Sequence, residues 1–232
     1  MITLYNFGPF QGLPDASPFC LKVDCYLRAT GLDFKTKSGA NYVGKSPKKK
    51  LPYIEDGGKT IGDSTFIIDY LKEKYGDKLD GDLNVEQQAI AHAFKKMLDE
   101  NLYWCLVHSR WIENWPVTRE VFFGAMPAPL KLIIPGIVHS GVKKSLHYHG
   151  MGRHSDVEIH QIGRRDITAL DNFLGNKDYF LLNRPTTLDI WVYAILAEMI
   201  VPDLKCELND TAKSFDKLVK FVERMHKQFY DK

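Results

Sequence analysis

Ile2-Thr3-Leu4-Tyr5-Asn6-Phe7 alternates with period two, and a short way on the chain reads Asp15-Ala16-Ser17-Pro18-Phe19-Cys20. The alternation predicts a strand, ended by the Gly- and Pro-containing stretch Gly8 to Pro14. Ser17-Pro18 predicts a helix start. A serine hydroxyl can cap free backbone N–H groups, and proline in the first turn gives up a donor that has no partner there. Phe19, Val23, Tyr26 and Leu27 continue that helix on one face, Gly31 stops it, and Leu32 to Thr36 resumes as a strand.

Outward from this unit, Leu51 to Glu55 and Lys59 to Ile61 flank Asp56-Gly57-Gly58 and predict a hairpin. Ser64 is placed to cap a helix carrying Ile67, Ile68, Leu71 and Tyr75, closed by Gly76-Asp77. Strand, helix, strand, hairpin and helix make a compact α/β unit, assigned to residues 1–78. From Val85 onward the period is helical, giving an all-helical domain over 84–232. Glu86 to Trp111 predicts one long amphipathic helix, Ser155 to Leu174 another, Thr187 to Met199 a buried central one, and Ala212 to Tyr230 the last. Gly124 to Arg153, rich in Gly, Pro and His, predicts little beyond a short apolar helix.

Composition narrows the function classes. Lys+Arg 31 against Asp+Glu 29 leaves a net charge of +2 with scattered basic residues, Lys48-Lys49-Lys50 apart, so no nucleic-acid footprint is expected. The apolar stretch Leu130 to Val138 is far shorter than the roughly 20 residues of a membrane span and reads as buried. The N-terminal residues lack a signal-peptide pattern. Cys20, Cys25, Cys105 and Cys206 suit reduced thiols, so a cytoplasmic location is expected.

In order and spacing, Ser17-Pro18-Phe19-Cys20 at a helix start, Leu51-Pro52 entering a hairpin and Asp63-Ser64 at the next helix start resemble the thioredoxin-like domain of glutathione transferases. The Ser-Pro-Phe-Cys start, His108-Ser109-Arg110-Trp111 and Gly152-Arg153-His154-Ser155 are similar to the failed-axon-connections and metaxin-like branch. Thr186-Thr187-Leu188-Asp189 reads as a capping box and resembles the one that starts the core helix of the family's second domain. The resemblance implies a four-stranded mixed sheet with helices, followed by the all-helical domain. It also implies glutathione as cosubstrate, a hydrophobic electrophile as second substrate, and a homodimer.

Ser17 is the candidate catalytic residue. A free thiol titrates near 8.5, and each unit of depression requires about 1.4 kcal/mol of preferential thiolate stabilisation. A hydroxyl bond to sulfur and the positive end of a helix can supply one or two units. The plainer reading of Ser17 is a helix cap. Cys20 lacks a partner cysteine for a disulfide cycle, although it can form a mixed disulfide with glutathione or simply pack. Tyr5 is the alternative hydroxyl, as in some transferase classes, and is also a candidate for substrate contact or sheet core.

The resemblance implies that Pro52 is cis, that Leu51 pairs with glutathione through its backbone and that Lys50 meets the glycyl carboxylate; an ordinary trans proline at a strand start and a solvated lysine in a basic run are the alternatives. Asp63 and Ser64 receive the γ-glutamyl end, with a plain cap as the alternative for Ser64. Tyr103, His108 and Trp111 are candidates for the second pocket, or for core. His139, His147, His149, His154 and His160 complete no ligand spacing, so no metal is expected. A non-catalytic binding or scaffold protein is the alternative function.

Overall fold

The computed structural model describes residues 1–124 and 126–231. Its sheet is built on β1 (Ile2–Asn6), which is buried along its whole length. β2 (Phe34–Ser38) pairs with it in parallel, Leu4 opposite Thr36. β3 (Tyr53–Asp56) pairs on the other side antiparallel, Leu4 opposite Ile54. β4 (Lys59–Gly62) closes the hairpin through Gly57 and Gly58, and the order is β2-β1-β3-β4. A parallel neighbour needs a crossover, and α1 (Pro18–Ala29) supplies it. α2 (Ser64–Tyr75) follows the hairpin. Ile2, Leu4 and Ile54 belong to one core with Leu21, Ile67 and Leu71, while Tyr5 and Tyr53 form a smaller cluster with Leu51, Cys20, Tyr42 and Val43.

The expected long helix is continuous in direction but not in winding. α3 (Val85–Met97) passes through a π-helical turn at Leu98–Leu102 into α4 (Tyr103–His108), and a second π-helical turn spans Ser109–Glu113. It ends where the Asn114 amide and the Thr118 hydroxyl donate to the carbonyls of Ser109 (3.1 Å) and Arg110 (2.6 Å). α5 (Trp115–Phe123) and α6 (Ala128–His149) follow, then α7 (Asp156–Leu174), α8 (Thr187–Ile200), α9 (Glu207–Lys213) and α10 (Asp216–Tyr230).

Three expectations are corrected. The Gly/Pro/His segment holds a helix of 22 residues with Pro135 inside it, where a short one was expected; Ala125, of the same segment, lies outside the described residues. The stretch Leu130 to Val138 is not buried, because one side of α6 carries Pro135, Val142 and Leu146 against the protein while Leu130, Leu132, Ile133 and Ile137 face outward. The last helix starts at Asp216, with α9 a separate element.

The two parts meet along α1 and α8. Residues Thr187 to Met199 are all buried, as are Cys20 to Leu27. Lys22, fully buried, donates to Asp99 Oδ1 (2.6 Å) and lies over the Trp191 ring (4.5 Å); burial brings its ammonium down to about 8 against the pull of Asp99. No helix among the described residues is long and apolar enough to cross a membrane.

The capping box at the start of α8 forms. The Asp189 carboxylate accepts from the Thr186 N–H (2.8 Å), the Thr186 hydroxyl (2.6 Å) and the Phe180 N–H (2.8 Å), all buried. Asp189→Ala is expected to cost ~2–4 kcal/mol by urea denaturation, since it strands three buried donors. Ser155→Ala at the exposed box of α7 should cost only ~1 kcal/mol. Equal costs would contradict this account.

Candidate functional site

Ser17 occupies the N-cap of α1 with extended backbone (φ −117°, ψ 126°), yet its side chain makes no cap hydrogen bond. The hydroxyl instead meets the Cys20 thiol, one turn along the same helix. The amides of Phe19 and Cys20 precede the first intrahelical bond, from the Leu21 N–H to the Ser17 carbonyl (2.9 Å). The half-buried Ser17 thus sits at the positive end of a helix.

The turn before Ser17 is closed by Asp15. Its carboxylate accepts from the Gly8 N–H (2.8 Å) and the Ser17 N–H (2.9 Å). Burial pushes Asp15 up to about 7, against those two donors and with the Glu198 charge adding to the rise. Cys20 is fully buried, and burial, then the Asp15 charge, pushes its thiol well above the ordinary value.

The Leu51–Pro52 bond is cis. Among the described residues no backbone hydrogen bond uses the Leu51 N–H or carbonyl, while the Pro52 carbonyl accepts from the Asp63 N–H (3.3 Å). Asp63, not Ser64, caps α2: Oδ1 accepts from the Thr65 N–H (3.0 Å), and Ser64 is the first helical residue. Asp63 holds a left-handed φ of 84°, a conformation uncommon for a residue with a Cβ. Its Oδ2 accepts from Lys50 Nζ (2.8 Å). Burial raises its carboxyl, but the Lys50 bond and charge more than offset this and hold it below the carboxylate range. The expected glycyl and γ-glutamyl anchors are therefore paired with each other. Lys50 is 58% exposed, so the pair is weak and easily opened.

Tyr5 packs in one cluster with Cys20 and Leu51, but its hydroxyl is engaged away from Ser17. Its hydroxyl donates to Glu55 Oε2 (2.7 Å) and accepts from Lys37 Nζ (3.2 Å), and its ring stacks on Tyr53 at 4.2 Å. The three pocket candidates diverge. Tyr103 packs edge-on against Phe19, two residues past Ser17, with ring centroids 4.6 Å apart, and burial pushes its hydroxyl up to about 12. His108 turns to Asp156 (3.2 Å), and burial lowers it despite the Glu113 and Asp156 charges. Trp111 stacks on Phe122 and Trp115. Phe10 of the loop before Ser17 stacks on Phe122 at 5.7 Å, joining this aromatic group to the site. Among the described residues no cluster of His, Cys, Asp and Glu is arranged to hold a metal ion.

Sequence reasoning missed Asp15, Arg110 and Glu198. Arg110 Nη1 donates to the Ala16 carbonyl (2.8 Å) and Nη2 to Glu198 Oε2 (2.6 Å). A lone glutamate in the otherwise apolar second half of α8 was the available signal, because a fully buried carboxylate demands a partner.

This β2-β1-β3-β4 sheet with its cis proline, joined to an all-helical half, is a thioredoxin-like domain in a two-part transferase architecture. Residues 18–116 match the glutathione S-transferase N-terminal domain, and residues 163–225 match the glutathione S-transferase C-terminal domain. The chain is 35% identical over 236 residues to the isoprene-epoxide–glutathione S-transferase of Rhodococcus sp., covering 99% of each chain. It is 32% identical to failed axon connections of Drosophila melanogaster over 97% of this chain and 57% of that protein. A glutathione S-transferase of Methylobacterium radiotolerans, solved with glutathione sulfonate, shares the fold at a TM-score of 0.63 and 16% identity, over 97% of this chain and 90% of that one. The chain belongs to the glutathione S-transferase family.

Asp15 binds its proton more tightly when folded than when unfolded, its value rising from 3.8 to about 7. Between those values folding is coupled to proton uptake, so the contribution of Asp15 to stability falls as pH rises. Wild type should lose stability relative to Asp15→Asn across that window, measured by urea denaturation at several pH values. A pH-independent difference would show that Asp15 is ionised throughout.

Proposed function

We propose that the chain is a glutathione transferase that holds the tripeptide against the first domain and activates its sulfur at Ser17. The observation that carries this reading is the start of α1, where the Ser17 side chain makes no cap hydrogen bond, so that its hydroxyl can exchange the Cys20 thiol for the glutathione sulfur beside the first-turn amides. The free backbone of Leu51 suits a strand-like pairing with the tripeptide next to Pro52. Lys50 takes the glycyl carboxylate, and Asp63 with Ser64 takes the γ-glutamyl end, once ligand opens the Lys50–Asp63 pair.

The second substrate is a hydrophobic electrophile, admitted between Tyr103 and the aromatic group around Trp111. His108, turned toward Asp156, acts at the edge of that space. Epoxides are the first class to assay, given the substrate in the name of the Rhodococcus relative. In that reaction the thiolate sulfur bonds to an epoxide carbon, the C–O bond breaks, and the oxygen takes a proton from water. The role is detoxification in the cytoplasm, which suits four free cysteines. We assign the exposed apolar residues of α6 to contact with a second copy in a homodimer. The similarity to failed axon connections favours one other reading, a non-catalytic binding protein.

Calorimetry should detect glutathione binding, and Ser17→Ala should lower kcat/KM for an epoxide about 10- to 100-fold, corresponding to one or two units of lost thiol activation. Cys20→Ala should leave turnover within about twofold. No heat of binding at millimolar glutathione would favour the non-catalytic reading, and loss of turnover in Cys20→Ala alone would favour mixed-disulfide chemistry. By sedimentation the wild type should be a dimer and Ile133→Glu a monomer; a monomeric wild type would refute the assignment of the α6 face.

A further inference from the structure

Arg110 and Glu198 form an ion pair from which water is nearly excluded, with side chains 5% and 0% exposed. Such pairs contribute little net stability, because the cost of desolvating two charges cancels most of their attraction. This one is also incompletely satisfied: Arg110 Nε and Glu198 Oε1 have no hydrogen-bond partner among the described residues. Stability alone gives a poor account of it.

The third group in the arrangement is the backbone of the Ser17 turn. Arg110 Nη1 donates to the Ala16 carbonyl (2.8 Å), while the Ser17 N–H donates to Asp15 Oδ1 (2.9 Å). Carbonyl and N–H belong to one peptide plane, that between Ala16 and Ser17. Both of its polar atoms are therefore held, one by the second domain and one by the first.

Arg110 is itself fixed. It lies in the π-helical turn Ser109–Glu113, its carbonyl accepts from the Thr118 hydroxyl (2.6 Å), and its guanidinium lies 4.9 Å from the centroid of the Phe10 ring. π-Helical turns re-aim side chains relative to a regular helix and are frequent at functional sites. Glu198 Oε2 and the Glu198 carbonyl (3.3 Å) take the other guanidinium nitrogen, so the fork has one orientation.

We propose that Arg110, charge-paired with Glu198, is a positioning residue that clamps the Ala16–Ser17 peptide plane and thereby aims the Ser17 hydroxyl and the first-turn amides of α1 at the glutathione sulfur. The proposal rests on the Ser17 reading above. Release of the plane lets the turn rock. The sulfur then loses the alignment that favours its ionised form, while Lys50, Leu51 and Asp63, all in the first domain, continue to hold the rest of the tripeptide.

Arg110→Met alone leaves Glu198 buried without its partner and risks unfolding the protein. The test is therefore the double variant Arg110→Met/Glu198→Met, which removes both charges and retains side-chain volume. Thermal denaturation establishes that it folds. The ultraviolet thiolate band of bound glutathione is then titrated against pH in the wild type and in this variant. The thiol midpoint should rise by about one unit, with an approximately tenfold loss of kcat/KM at neutral pH that recovers as pH rises. Glutathione affinity by calorimetry should change less than about threefold. An unshifted midpoint in a folded double variant would overturn the proposal and leave the Ser17 reading intact. A wild type that shows no thiolate band at neutral pH would overturn the Ser17 reading, and the proposal with it.

Discussion

A helix as apolar as α8 has to be covered on every side, and that requirement organises the chain. From Thr187 to Met199 it presents no face to water. At about 1.5–3 kcal/mol for each large apolar side chain buried, this one helix accounts for a large share of the driving force for folding. α1, α9 and α10 contribute to its cover, and α1 comes from the other half of the molecule. The first helix of the α/β unit is thus enclosed by both halves, with its N-terminus placed at their junction.

Charge then marks where the halves meet. Lys22 with Asp99, Arg110 with Glu198, and Asp15 with backbone donors are all withdrawn from solvent within this junction. Each would be costly alone and is tolerated because its partner is already held in place. These polar groups concentrate around the start of α1.

What the sequence disclosed follows from the range of the interactions involved. The order of strands and helices in the first part was readable because period-two and period-3.6 patterns, glycine turns and the Thr186–Asp189 box are local. The α2 cap was misplaced by one residue, because Asp63 reaches its position only through a left-handed backbone that sequence gives little reason to expect. α6 was underestimated because Pro135, Gly136 and Gly141 are poor helix formers. Arg110 and Glu198 are 88 residues apart, so their meeting with Ala16 has no local trace. Lys50 and Asp63 were each singled out, but their pairing emerges only when the hairpin folds.

Because α1 is enclosed by both halves, the two domains are not modular. A fragment ending after α2 would leave Lys22 without Asp99 and expose apolar side chains that α8 now covers. Recombination that exchanged one half for that of a distant relative would have to bring a matching α1–α8 seam with it. Lineages derived from this architecture are thus expected to diversify through α5, α6 and their connections, while the seam itself changes only by coordinated substitutions on both sides.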